Sequence, residues 1–177
     1  THWRQERLFT AAQKLCNAMN IPSPQPEDYR PTAASEPFYG VYYGQAALPM
    51  NPDILYTLQG DLLEQCTVYN YETGKTAGIY DWSKLSSSDL YQVFLSGSVS
   101  LLRIDNPNTQ TERELIVFRD SFGSAMAPLL VQGYKSVTLV DIRYLSSVML
   151  DRFIDFHGQD VLFLYSTLVL NNSSTIK

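Results

Sequence analysis

The segment Val117-Phe118-Arg119-Asp120-Ser121-Phe122-Gly123 puts a serine where an apolar, strand-like run gives way to a helix-like one. A hydroxyl at such a turn faces the ligand edge of a sheet, and free backbone N–H groups at the helix start can stabilise an oxyanion. Asp and Ser are also favoured N-caps, so the same residues read more simply as a cap with no chemistry. A nucleophilic serine needs a base, and the chain has two histidines. His157, in Asp155-Phe156-His157, resembles an acid-base pair. It falls, though, at the C-terminus of a predicted helix, where a histidine commonly meets the negative end of the dipole. That end feeds the start of the next strand, so His157 is expected at the opposite edge of the sheet, about 17–20 Å from Ser121. His2 lies at the N-terminus of the first predicted helix, the end that faces the ligand edge if that helix packs on the same sheet. It is the better base; the alternative is a frayed terminal residue without a role.

These residues need elements to hold them. Leu8, Ala11, Ala12, Leu15, Ala18 and Met19 recur at helical spacing and predict a helix from Trp3 to Met19 with Thr1 as its N-cap. Pro22, Pro24, Pro26, Pro31 and Pro37 predict a crossing loop from Ile21 to Pro37. Short strands are expected at Phe38 to Tyr43, Ile54 to Leu58, Thr67 to Tyr71 and Thr76 to Tyr80, the last two joined by a hairpin turn with Gly74 available for positive φ. A helix capped by Ser88 runs through Leu95, followed by a strand at Ser100 to Ile104. From Glu114 the pattern alternates: strand Leu115 to Arg119, helix Phe122 to Gln132, strand Ser136 to Val140, helix Ser146 to Phe156, strand Val161 to Tyr165. Such alternation predicts parallel strands with crossover helices, and ligands gather where strands end and helices begin. Asp141, Arg143 and Tyr144 follow the strand Ser136 to Val140 and share that edge with Ser121. Arg143 could bind a carboxylate ligand in bidentate fashion, or simply form a salt bridge with Asp141. The aromatic run Phe38-Tyr39-Gly40-Val41-Tyr42-Tyr43 suits stacking on sugar rings, or packing within short strands.

A chain of 177 residues with 45% apolar and 18% charged residues can bury a core as one domain. Its net charge of −5, without a basic run, excludes nucleic acid as an expected partner. The longest apolar stretches, such as Val161 to Tyr165, are too short to span a bilayer, and no signal-peptide pattern opens the chain. Cys16 and Cys66 have neither metal-ligand spacing nor the number for a disulfide framework, so no metal or cofactor is expected and their redox state stays open.

The string Thr1-His2-Trp3, the later Phe118-Arg119-Asp120-Ser121-Phe122-Gly123, the segment Val140-Asp141-Ile142-Arg143-Tyr144, and the ending Asp160-Val161-Leu162-Phe163-Leu164-Tyr165-Ser166-Thr167 with Asn171-Asn172-Ser173 together resemble the DHHW family. That family is a bacterial cell-envelope branch of the SGNH-hydrolase-like proteins, similar in layout to the SGNH domain of alginate O-acetyltransferases. The order of the motifs carries the resemblance, and Tyr42 to Ser88 matches least. It implies a three-layer SGNH or flavodoxin-like α/β fold with a parallel sheet and an irregular short-strand insertion, over residues 1–177. It implies Ser121 as nucleophile and His2 as base, from an Asp-x-His-Trp motif whose aspartate would immediately precede Thr1. The chain is therefore expected to be an N-terminally truncated piece of a longer protein. Where the family often has Gly-Gly-Asn, this chain has Ser96-Gly97-Ser98. Gly97 and Ser98, with Asp120, Arg143 and Tyr144, are the candidate oxyanion or substrate-binding residues, and a plain turn is the alternative for Gly97. The implied function is an esterase or O-acetyltransferase acting on a carbohydrate or small acyl ester in an extracellular or cell-envelope location. A catalytically silent carbohydrate-binding or envelope-assembly module is the other expectation.

Overall fold

The computed structural model describes residues 2–40, 43, 49–172 and 174. Helix α1 (Phe9–Ala18) is entered through a 3-10 turn at Gln5–Arg7, so the expected helix is present but begins later. Its apolar stripe buries Ala12 and Cys16, continuing from Leu8. Thr1, the expected cap, lies outside the described residues. The proline-rich stretch is a loop only as far as Tyr29. It then forms strand β1 (Arg30–Phe38), which pairs antiparallel with β2 (Asp53–Gln59) in a separate two-stranded ribbon. Both strands of such a ribbon are edges, so Pro31 and Pro37 can lack an N–H without breaking a central ladder. The strand expected from Phe38 to Tyr43 falls partly on Val41 and Tyr42, outside the described residues.

The main sheet contains β3 (Thr67–Asn70), β4 (Lys75–Ala77), β5 (Leu101–Asp105), β6 (Glu114–Arg119), β7 (Ser136–Val140) and β8 (Asp160–Leu164), in the order β4-β3-β5-β7-β6-β8. Only β7, β6 and β8 are mutually parallel; β5, β3 and β4 add antiparallel partners. The expected parallel sheet is thus mixed. Gly74 does adopt a positive φ of 66° in the turn between β3 and β4.

The expected helices are shorter or more tightly wound than predicted. The further α-helices with bounds among the described residues are α2 (Asp61–Gln65), α3 (Gly123–Met126) and α4 (Thr167–Asn171). The helix expected from Phe122 to Gln132 gives way after Met126 to 3-10 turns, because Pro128 has no N–H to continue the ladder. Ser147–Arg152 is a 3-10 helix, and so is Leu90–Val93, which Asp89 caps in place of Ser88.

Alternation along the strands divides the core. Leu115, Val117, Val137, Leu139, Leu102 and Ile104 face a large buried cluster with Leu8, Ala12, Leu58 and Ala125. Ile116, Phe118, Leu101 and Val140 face a smaller one with Leu150 and Ile154. Among the described residues β8 closes one end of the sheet with its outer edge unpaired, and Phe163 is 67% exposed while its ring stacks on Phe118 at 4.9 Å. From β6 the chain runs to β7 on one side and then to β8 on the other, which makes the C-terminal end of β6 a topological switch point. No helix among the described residues is long and apolar enough to cross a membrane.

Candidate active site

Arg-Asp-Ser-Phe-Gly folds as a sharp exit from β6 because one carboxylate clamps it. Asp120 is buried and accepts from the Phe122 N–H at 3.0 Å and from the Ser166 N–H at 2.7 Å, tying the turn to the end of β8. Gly123 is required there, since a Cβ would stand 2.6 Å from Cβ of Arg119. With Asp120 holding the turn, the Ser121 hydroxyl is left for another partner. Its Oγ lies 2.9 Å from Nε2 of His2, across a separation of 119 residues.

His2 is held from behind. Buried Gln5 donates to the Ala125 carbonyl at 3.1 Å and accepts from the Leu58 N–H at 3.1 Å, pinning the start of the chain between α3 and β2. The Tyr91 ring stacks on the imidazole with centroids 4.1 Å apart and 17° between planes, and its hydroxyl donates to the Trp3 carbonyl at 3.0 Å. Phe122 packs against the imidazole at 5.3 Å. Burial lowers the His2 pKa from its ordinary value of 6.5, while the negative charges of Asp89 and Asp120 pull it the other way. A neutral imidazole at neutral pH is the form that can accept the serine proton. Among the described residues nothing bonds to its Nδ1.

Two expectations about the oxyanion site need correction. Asp120 cannot serve, because a carboxylate has no proton to donate and both its oxygens are already bonded. The Gly97 N–H is bonded to the Phe94 carbonyl at 3.1 Å, so Gly97 supplies backbone freedom instead, at φ 84°. The N–H groups of Ser121, Ser96 and exposed Ser98 have no acceptor among the described residues. Leu95, Ser96 and Gly97 all have positive φ, a run of left-handed backbone that costs on the order of 1–3 kcal/mol at each residue other than glycine. Arg119 links this loop to the serine turn: its stem packs on Gly123 and its Nη2 donates to the Val99 carbonyl at 3.2 Å. Arg119 is fully buried, and its Nε and Nη1 have no hydrogen-bond partner among the described residues.

Arg143 is engaged in bidentate fashion with buried Asp141, at 2.8 and 2.6 Å, so the salt-bridge alternative holds and the guanidinium is not open to a carboxylate ligand. Tyr144 is exposed beneath Arg143, 5.3 Å from ring centroid to guanidinium carbon. His157 is exposed and 3.5 Å from Glu114, the first residue of β6, hence at the far end of the strand that leads to Ser121. It lies beyond the 3-10 helix Ser147–Arg152, so no helix end acts on it. Cys16 and Cys66 are buried free thiols in the core. Beside His2 opens a cavity of about 390 Å³ lined by Trp3, Phe38, Ile54, Tyr56 and Tyr91. Gln5, Tyr91 and Arg119 escape sequence reasoning; only the charged Arg119 closing an apolar strand leaves a visible signal.

The sequence profile described as DHHW protein matches residues 12–140. The chain belongs to the DHHW family. Among solved structures it is similar to a DHHW family protein from Eubacterium siraeum, with 22% identity and a TM-score of 0.72, covering 95% of this chain and 57% of that one. It is also similar to PatB1 of Bacillus cereus with a sulfonyl adduct, at 21% identity and a TM-score of 0.69, covering 96% of this chain and 59% of that one. At such identities the likeness is one of fold, and this DHHW chain spans less than two thirds of either structure. No curated protein sequence matches it.

Proposed function

We propose that this chain carries the reactive centre of an SGNH-type esterase or O-acyltransferase, working on O-acyl groups of envelope or extracellular carbohydrate, on a three-layer SGNH fold. The contact of 2.9 Å between His2 Nε2 and Ser121 Oγ carries the reading. His2 takes the hydroxyl proton as Ser121 Oγ bonds to the acyl carbon, and the carbonyl electrons move onto oxygen. The Ser121 and Ser98 N–H groups are among the donors free to hold that oxyanion. Collapse breaks the bond to the leaving alcohol, which takes the proton from His2. Water or a second alcohol then attacks the acyl carbon and gives its proton to His2; the bond from that carbon to Oγ breaks, Oγ takes the proton back from His2, and the acid or new ester leaves. The sulfonyl adduct carried by PatB1 supports the reading, because activated nucleophiles are what capture sulfonyl groups.

Among the described residues nothing bonds to Nδ1 of His2, and a second reading is a catalytically silent binding module on the same fold. Hydrolysis of 4-nitrophenyl acetate separates the two. The acyl-transfer reading expects slow turnover that Ser121→Ala abolishes and that His2→Ala lowers by about 10³-fold or more. Turnover unaffected by Ser121→Ala in a folded chain would overturn it. Export to the envelope belongs to the same reading, and recovery of the natural protein from the cytosolic fraction would count against it.

A further inference from the structure

We propose that the cavity beside His2 is the subsite for the alcohol half of the ester, and that it takes an alcohol bearing a flat ring with apolar faces. The inference rests on the acyl-transfer reading and states which arm of the substrate lies where. In a serine-histidine mechanism the histidine hands its proton to the departing oxygen, so the alcohol must lie within reach of Nε2, on the histidine side of the serine. The acyl carbonyl oxygen lies on the other side, against the backbone N–H donors. His2 is itself a wall of the cavity. Of the polar side chains around it, those of Gln5 and Arg4 are already engaged, whereas Asn51 has no partner among the described residues. Gln5 is bonded to Ala125 and Leu58, and Arg4 is held between Glu6 and Asp53 with its guanidinium over the Tyr56 ring. What remains for a ligand is mostly ring face, from Trp3, Phe38 and Tyr56. Such walls reward a ring with an apolar face, a face that a sugar ring also presents to aromatic side chains, and give little to a charged or open-chain alcohol. A volume of about 390 Å³ is near the lower end of ligand pockets and admits roughly one or two six-membered rings. Phe38 and Tyr56 come from β1 and β2, so the separate ribbon becomes the arm that reads the alcohol.

Benzyl acetate and methyl phenylacetate are isomers with the ring on opposite sides of the ester, which makes them a direct test on the unmodified full chain. The expected result is a kcat/KM for benzyl acetate at least about tenfold above those for methyl phenylacetate and methyl acetate. In Tyr56→Ala the ratio of benzyl acetate to methyl acetate should fall toward one. Saturation-transfer NMR with benzyl alcohol should show ring signals with Ser121→Ala and lose them with Tyr56→Ala. Ser121-dependent turnover without a ring preference, or with a preference for methyl phenylacetate, would overturn the inference alone. No Ser121-dependent turnover of any of the three esters would overturn the acyl-transfer reading, and the alcohol assignment with it.

Discussion

Protonation of His2 removes the acceptor that the Ser121 hydroxyl needs, so activity must fall as pH drops through the histidine pKa. Burial disfavours the imidazolium and sets that pKa below 6.5, which keeps the base neutral further into acid than an exposed histidine would be. The expected kcat/KM profile is therefore flat near neutrality, with an acid limb centred below 6.5. Tyr91→Ala removes the ring stacked on the imidazole and admits water, so the midpoint should move up toward the ordinary histidine value. A limb that stays in place would show that the stacked ring does not set the proton affinity. His157, exposed at the other end of β6, has no part in that profile. The placement of His157 away from Ser121 was legible from sequence because a histidine that precedes a strand and a serine that follows one belong at opposite edges. The contact of His2 with Ser121 was not, since a separation of 119 residues leaves no trace in local spacing.

The elements that aim His2 at Ser121 meet at Gln5. Gln5→Leu would leave the Ala125 carbonyl without its partner and weaken the hold on the Leu58 N–H, at a cost of about 1–3 kcal/mol for a buried unsatisfied group. For a domain of this size that lowers Tm by roughly 2–4 °C per kcal/mol. Turnover should fall along with Tm, because the same tether positions the histidine. A thermal scan beside an esterase assay checks both, and a normal Tm with normal activity would remove Gln5 from the account. No local pattern announces such a glutamine, which sits in an otherwise polar stretch. The strands were readable because β6 and β7 are apolar on both faces and bounded by polar turns. Beyond α1, the helices were not. Pro128 interrupts one, and prolines at ribbon edges disguised β1 as a loop. Asp120 and Ser121 were both possible caps, but neither caps α3; the aspartate holds the turn through the Phe122 and Ser166 N–H groups, and the serine hydroxyl is left for His2.

On the scale of the molecule, a mixed sheet places its reactive serine at the switch point and a separate ribbon beside the histidine. Most of the buried cluster lies on one face of that sheet, so the machinery rests on the better-packed side. The two ends of the sheet have unequal consequences for how molecules meet one another in solution. Among the described residues β8 offers unpaired peptide groups beside Phe163 and Val161, whereas β4 at the far end is short, exposed and carries Lys75. Joining β8 of one copy to β4 of the next would propagate without limit, and a short edge bearing a lysine is a poor template for it. Joining β8 to β8 about a two-fold axis closes on itself. Self-association of this chain should therefore stop at a pair, strengthen with salt as the net charge of −5 is screened, and weaken with Phe163→Lys. Sedimentation over a concentration series would reveal it, and species growing beyond the pair would show that the short lysine-bearing edge does not act as a terminator.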